Sequence, residues 1–141
     1  MPTVSSAAKE FASLGKWDGA VSAFVPVAPA NAPTLGATDA LLTSWRRLLD
    51  AGSLQDGEEN LAGTARQTVI VISPSRAQSI GVVTGDAVRV SNSHGAIVLP
   101  VLVEAGAIHD DAVWMPRNSR GSHILATLAV ANGAVVTVVK D

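Results

Sequence analysis

The spacing of hydrophobic and polar positions changes partway along this 141-residue chain, from helical periods to alternation. From Ser5 to Leu14, the apolar residues Ala7, Phe11 and Leu14 fall at helical spacing, and Gly15 is placed to stop the turn. Such a helix carries little apolar area and is marginal by itself. Pro26, Pro29 and Pro33 follow in the stretch VPVAPANAP; closely spaced prolines forbid helix and favour an extended linker. Thr38–Ala51 (TDALLTSWRRLLDA) gives the clearest helical reading of the chain. Thr38 can cap it, Asp39 suits the first turn and Gly52 can close it. Leu41, Leu42, Trp45, Leu48 and Leu49 then form one apolar stripe, expected to dock on other elements. Gln55–Thr64 is polar, acidic and glycine-containing, and reads as loop.

Beyond Gln67 the pattern is one of strands. Thr68–Ile72 is β-branched. Ser73 can cap a helix over Pro74–Ile80, with Pro74 in the first position and Gly81 as its left-handed stop. Thr84-Gly85-Asp86 is turn chemistry. Ala87–Ser91 alternates, with Val88 and Val90 on one face and Arg89 and Ser91 on the other. A second turn at Ser93-His94-Gly95 leads into Ala96–Val103, a run apolar on both faces and so expected to be covered on two sides. Pro100 within it predicts an edge, a bend or a bulge. Ala112–Met115 is a short strand, Ser122–Val130 a helix with Ile124, Leu125 and Leu128 on one side, Asn132-Gly133 a turn, and Ala134–Val139 the last strand.

Two pieces of this region share an order of strand, helix, turn and strand, offset by a little over 40 residues. Duplicated units of this kind suit a small closed barrel, which hides its strand edges. The expected architecture is therefore mainly β, with short helices. Residues 1–36 supply a helix and linker, 37–66 a helix and acidic loop, and 67–141 the barrel.

Composition adjusts this picture by exclusion. Hydrophobic residues make up 48% of the chain, too many for a wholly disordered one, while aromatics are only 4%, so Val, Leu, Ile and Ala must build the core. There is no cysteine, which removes disulfides, thiol catalysis, zinc–thiolate sites and locally bound iron–sulfur clusters. A net charge of −2 without a basic run gives no footprint for nucleic acid. No apolar run reaches the length of a membrane helix, and the start MPTVSSAAKEF lacks the pattern of a secretory signal, so a cytoplasmic location is expected.

Candidate chemistry is sparse. The segment Pro116 to Ser122, lying between a strand and an expected helix start, is the best ligand candidate. Free N–H groups there would favour an anion, Arg117 and Arg120 could pair with phosphate, and Asn118 could read a purine-like edge. Ser119, Gly121 and Ser122 complete it, although a solvated polar loop is the plainer reading. Gly85-Asp86 is expected to be structural, since a turn aspartate bonds its own backbone without any ligand. His109-Asp110-Asp111 lacks further ligands at metal-binding spacing. His94 and His123 read as turn and cap residues, and Arg46-Arg47 as the wet face of a helix. Neither a Gly-x-Ser-x-Gly elbow nor a phosphate-binding glycine loop is present. No catalytic residue and no metal ligand is therefore expected.

The residues Pro74, Ala77, Ile80, Gly81, Val82, Gly85, Asp86, Val88, Val90 and Gly95 follow a pattern that resembles the C-terminal domain of molybdopterin oxidoreductases. That pattern runs Asn-Pro-x-x-Ala-x-x-Leu-Gly-Ile-x-x-Gly-Asp-x-Val-x-Val, with a later Gly. The segments VLPVLV and AVWMPRNSRGS extend the likeness over about Thr68 to Lys140. It implies a double-psi β-barrel, with Arg117–Ser122 near a pterin dinucleotide in cofactor-binding members. The upstream segment SWRRLLDAGSLQDGEENLAGTAR resembles the G subunit of bacterial NADH-quinone oxidoreductases, respiratory complex I. That branch implies iron–sulfur clusters bound in other domains, a vestigial pterin site, and no cofactor in this segment. It also implies partners among the other domains of the subunit and the peripheral-arm subunits, on the cytoplasmic face of the membrane and without insertion into it. Ser73 stands where the pattern has Asn, which agrees with a lost site. Two alternatives remain: a true molybdopterin guanine dinucleotide-binding domain of a molybdenum oxidoreductase such as formate dehydrogenase, and a small double-psi or swapped-hairpin barrel acting as adaptor or regulator.

Overall fold

Thr3 opens the first helix through a reciprocal cap: the Ser6 N–H donates to its hydroxyl at 3.2 Å, and its own N–H donates to the Ser6 hydroxyl at 2.9 Å. A computed structural model describes residues 3–16, 18–27 and 31–141 of the chain. It divides into two compact units, Met1–Asn31 and Ala32–Asp141. In the first, α1 (Val4–Ser13) lies within one residue of expectation, and Gly15 takes a left-handed φ of 72° just beyond it. Phe11 and Leu14 are exposed. Of the expected linker, residues 28–30 lie outside the described residues.

The second unit is a closed barrel of six strands. These are β1 (Asp39–Thr43), β2 (Ile70–Ile72), β3 (Ala87–Ser91), β4 (Ala96–Val103), β5 (Ala112–Trp114) and β8 (Val135–Lys140); β6 (Asn118–Ser119) and β7 (Ser122–His123) form a separate small hairpin. Around the barrel the order is β1-β5-β2-β4-β3-β8. Three short helices lie between strands: α2 (Glu59–Ala62), α3 (Pro74–Ile80) and α4 (Ile124–Thr127).

The expected helix over 38–51 does not form. Its first residues are β1, which pairs in parallel with β5 and antiparallel with β8, so the barrel begins at Asp39 rather than near residue 67. Burial along β1 alternates, with Ala40 and Leu42 fully inside. Trp45 is 62% exposed and Leu48 94%, where a docked helix would have buried both. The leucines satisfied both periods, and two strands from the far end of the chain decided between them. Arg46 and Asp50 still form the i,i+4 ion pair of a helix, at 2.6 Å, on a non-helical backbone.

Around α3 the local signals act as read. Ser73 accepts from the Arg76 N–H at 3.2 Å, Pro74 opens the helix, and Gly81 ends it at φ 67°. Arg76 is buried, and its guanidinium donates to the carbonyls of Asp110 and Ala37, both at 3.1 Å. β3 and β4 occupy their expected residues in one hairpin. Contrary to expectation, β4 is buried mainly on one face: Ile97, Leu99 and Val101 point inward while Ala96 and Val98 are exposed. Pro100 does not break the strand, and it stands at a locally unpaired edge of β4, as expected. It stands one residue before Val101, where pairing with β2 starts, so its missing N–H falls outside that ladder.

The expected helix at Ser122–Val130 contracts to α4. Ser122 and His123 pair instead with Ser119 and Asn118, and Ala129 takes a left-handed φ of 55° soon after the helix ends. The Gly133 N–H then donates to the Leu42 carbonyl at 2.8 Å, tying the Asn132-Gly133 turn to β1.

The registers reveal a pseudo-two-fold repeat broader than the one legible in sequence. Exchanging β1 with β4, β2 with β5 and β3 with β8 leaves the ring unchanged. Under this exchange Leu42 matches Val101, Ile70 matches Val113, and Val88 and Val90 match Val136 and Val138. All eight are buried core residues. Ala77 and Val82 by α3, with Ile124 and Leu128 by α4, complete an aliphatic core without an aromatic ring.

Candidate functional site

Of the six residues Arg117–Ser122, all but Arg117, which stands just before it, fall in the β6–β7 hairpin rather than in an open loop before a long helix. Asn118 Oδ1 meets the His123 Nδ1 at 2.9 Å, and the Asn118 carbonyl accepts from the Ala51 N–H at 2.8 Å. Ser122 is fully buried, its hydroxyl donating to the Pro116 carbonyl at 2.6 Å. Ser119 is 6% exposed, and its hydroxyl has no partner among the described residues. Gly121 turns the hairpin at φ 79°, its backbone close against Leu99. Arg117 and Arg120 are exposed. The Ile124 N–H, first of the short helix that follows, already donates to the Arg117 carbonyl at 3.2 Å, which shortens the expected row of free N–H groups for an anion.

Only Ser119 and Arg120 of these six line a groove, of about 570 Å³, together with Arg66, Gln55, Asp50 and Asp56. The fold-motif residues lie elsewhere and work structurally. Gly85, at φ 100°, donates its N–H to the Val101 carbonyl at 2.8 Å, and the Val101 N–H donates to the Asp86 carbonyl at 2.9 Å. The Asp86 carboxylate accepts from the Val83 N–H and from Lys140 Nζ, both at 3.1 Å. The Val83 bond first, then the lysine, holds its carboxyl below the ordinary aspartate value of 3.8. Gly95 approaches the backbone of Thr127 too closely for any side chain. His94 is exposed at the β3–β4 turn, and His109 Nδ1 accepts from the Asp111 N–H at 3.3 Å within its own turn.

A second groove, of about 640 Å³, was not legible in the sequence. Pairing places Thr43, Trp114, Val71 and Leu102 side by side on the outer face of β1, β5, β2 and β4. Trp45 packs on Trp114 with ring centroids 4.7 Å apart, tilted at 46°. The Arg47 guanidinium lies 5.3 Å from the centre of the Trp114 ring and donates to the carbonyls of Gln67 and Arg66, at 2.6 and 3.1 Å. Desolvation, and then the positive charge of Arg66, lower the proton affinity of Arg47. Trp114 Nε1 is buried without an acceptor among the described residues. The one sequence signal for this cluster was a tryptophan on each of two segments, and nothing in their spacing said the segments touch.

A closed barrel of interleaved halves, its Gly-Asp turn bonded into the β3–β4 hairpin, defines a class that comparison makes explicit. The chain belongs to the molydopterin dinucleotide binding domain family, whose model matches residues 41–139. It is 46% identical over 138 residues to the NADH-quinone oxidoreductase G subunit of Mycobacterium bovis, a match covering 98% of this chain and 17% of that protein. It is 37% identical over 139 residues to the corresponding G subunit of Streptomyces coelicolor, covering 98% of this chain and 16% of that one. The chain thus spans less than a fifth of the length of these curated relatives. A rationally designed double-psi β-barrel superposes with a TM-score of 0.50 at 19% identity, covering 73% of this chain and 96% of that chain. The fold is a double-psi β-barrel, as the resemblance implied. No helix among the described residues is long and apolar enough to cross a membrane.

The family name implies a pterin dinucleotide, and several polar groups at 117–122 are turned inward rather than toward a ligand. The Asn118 carboxamide oxygen and the Ser122 hydroxyl are already engaged within the protein, and the Ser119 hydroxyl is closed off from the surface. What remains for a ligand is the two exposed arginines and the Asn118 carboxamide NH2.

Proposed function

We propose that the chain is a non-catalytic assembly domain from the C-terminal part of a NADH-quinone oxidoreductase G subunit, its ancestral pterin site no longer used. The 46% identity to the mycobacterial protein over nearly the whole chain carries this reading. The polar groups consumed inside the β6–β7 hairpin support the loss of the cofactor. The parent's electron carriers, iron–sulfur clusters, belong to its other domains, consistent with a chain that has no cysteine. The domain contributes packing surface to the other domains of its subunit and to neighbouring peripheral-arm subunits, on the cytoplasmic face of the membrane.

Three measurements test this. Elemental and mass analysis of the purified chain should find no stoichiometric molybdenum or pterin, and millimolar guanine nucleotide should leave the amide signals of Asn118 to Ser122 unmoved. Deleting the barrel from the full-length subunit should prevent assembly of the respiratory complex. A bound pterin, or a fully assembled and active complex without the barrel, overturns the proposal.

A further inference from the structure

Residues of one character gather in the larger groove. Trp45 and Leu48 expose apolar surface beside Trp114, and three guanidinium groups share the lining. Arg46 is neutralised by Asp50. Arg47 and Arg66 have no carboxylate within ion-pair distance among the described residues, and Arg47 makes its hydrogen bonds to neutral carbonyls only. Glu104 is the one carboxylate of the lining. A chain of net charge −2 has thus concentrated uncompensated cations around an aromatic patch. Tryptophan and arginine at the centre of a concave patch are the residue types that carry most binding energy at protein interfaces.

We infer that this groove docks an acidic segment of another protein chain, one that sets a large apolar side chain against Trp45 and Leu48 and carboxylates against Arg47 and Arg66. This rests on the assembly reading and names the chemistry of the partner. The apolar side chain covers an exposed indole and leucine, and the carboxylates relieve the mutual repulsion of two neighbouring guanidinium groups. Because Arg47 already lies on Trp114, its fork is held in place before the partner arrives.

The test uses the whole 141-residue chain and the indole N–H signals of its tryptophans, assigned with Trp45→Phe. The probes are a short synthetic peptide alternating Glu with Leu and Phe, its counterpart with Lys in place of Glu, and guanosine monophosphate. The acidic peptide should shift the Trp45 and Trp114 signals and saturate below about 1 mM, with affinity falling as salt rises. Trp45→Ala and, separately, Arg66→Glu should each weaken it about tenfold. Leu48→Ser, at a fully exposed position, should weaken it too, which guards against a folding defect at Trp45. No shift with the acidic peptide at 1 mM, equal binding by the lysine peptide, or shifts with guanosine monophosphate alone overturns the inference. So does self-association of the chain through Trp45. A failure here leaves the cofactor and assembly measurements standing, since neither reads peptide binding.

Discussion

Gly95 faces the carbonyl oxygen of Thr127 so closely that a β-carbon placed on Gly95 would lie 2.5 Å from it. The contact lets the β3–β4 turn pack beneath α4, with the Asn92 carboxamide donating to the neighbouring Leu128 carbonyl at 2.8 Å. Gly95→Ala should therefore cost about 1–3 kcal/mol, because a backbone must shift to make room. Gly81→Ala supplies the contrast. A methyl group on that glycine would meet nothing within 4 Å, but its φ is 67°, so the cost is conformational, about 1–2 kcal/mol. Urea denaturation of both variants separates crowding from backbone strain, and high-resolution structures would show displacement of α4 only in the first.

Strand and helix readings of residues 39–49 make opposite predictions for two leucines. Leu42 is fully buried and Leu48 94% exposed. Leu42→Ala should lose about 2–5 kcal/mol of stability. Leu48→Ala should change it by no more than about 0.5 kcal/mol. Comparable losses at the two sites in equilibrium unfolding would restore the helix.

Arg76 reaches across the unit to carbonyls at Ala37 and Asp110, and no carboxylate shares its buried position among the described ion pairs. Arg76→Met keeps much of the apolar stem but leaves both carbonyls without their donor, at a cost of about 1–3 kcal/mol. Hydrogen exchange should quicken selectively at residues 38–41 and 110–113, the strand starts that the guanidinium holds in place.

Acid should weaken the barrel partly through Asp86. Its folded-state pKa is depressed, by the Val83 N–H first and by Lys140 next. The stability it contributes is thus present above its unfolded value, near 4, and is lost as pH falls through the lower folded value. Asp86→Asn should flatten the acid limb of a stability–pH profile between roughly pH 5 and 2, with the variant and parent curves converging at the acid end. An unchanged slope would remove the aspartate from this role.

These variants also mark where the sequence was informative. The region from Ser73 to Gly95 was legible because its determinants are short-range: a capping hydroxyl, a proline, and glycines at positive φ or against a neighbouring backbone. β1 was misread because its determinants are remote. Leu41 and Leu42 took their conformation from Ala112, Val113 and Val135. The β6–β7 hairpin was missed for the opposite reason, being too short to show a period, and α4 was overextended because its apolar residues ran on past Ala129. For the candidate site, residue types were visible but their engagement was not. Nothing in the letters says that Ser122 is bonded to Pro116, or that Trp45 and Trp114 share a groove.

The interleaved ring constrains the order in which the molecule can come into being. Of its six strand pairings, only β3 with β4 joins neighbours in sequence. During synthesis that hairpin can zip as soon as it emerges, while β1 must wait for both of its partners, β5 and β8. A ribosome making this chain therefore exposes an unpaired Leu41-Leu42 edge until the last stave is delivered, and closure is a single late event with high contact order.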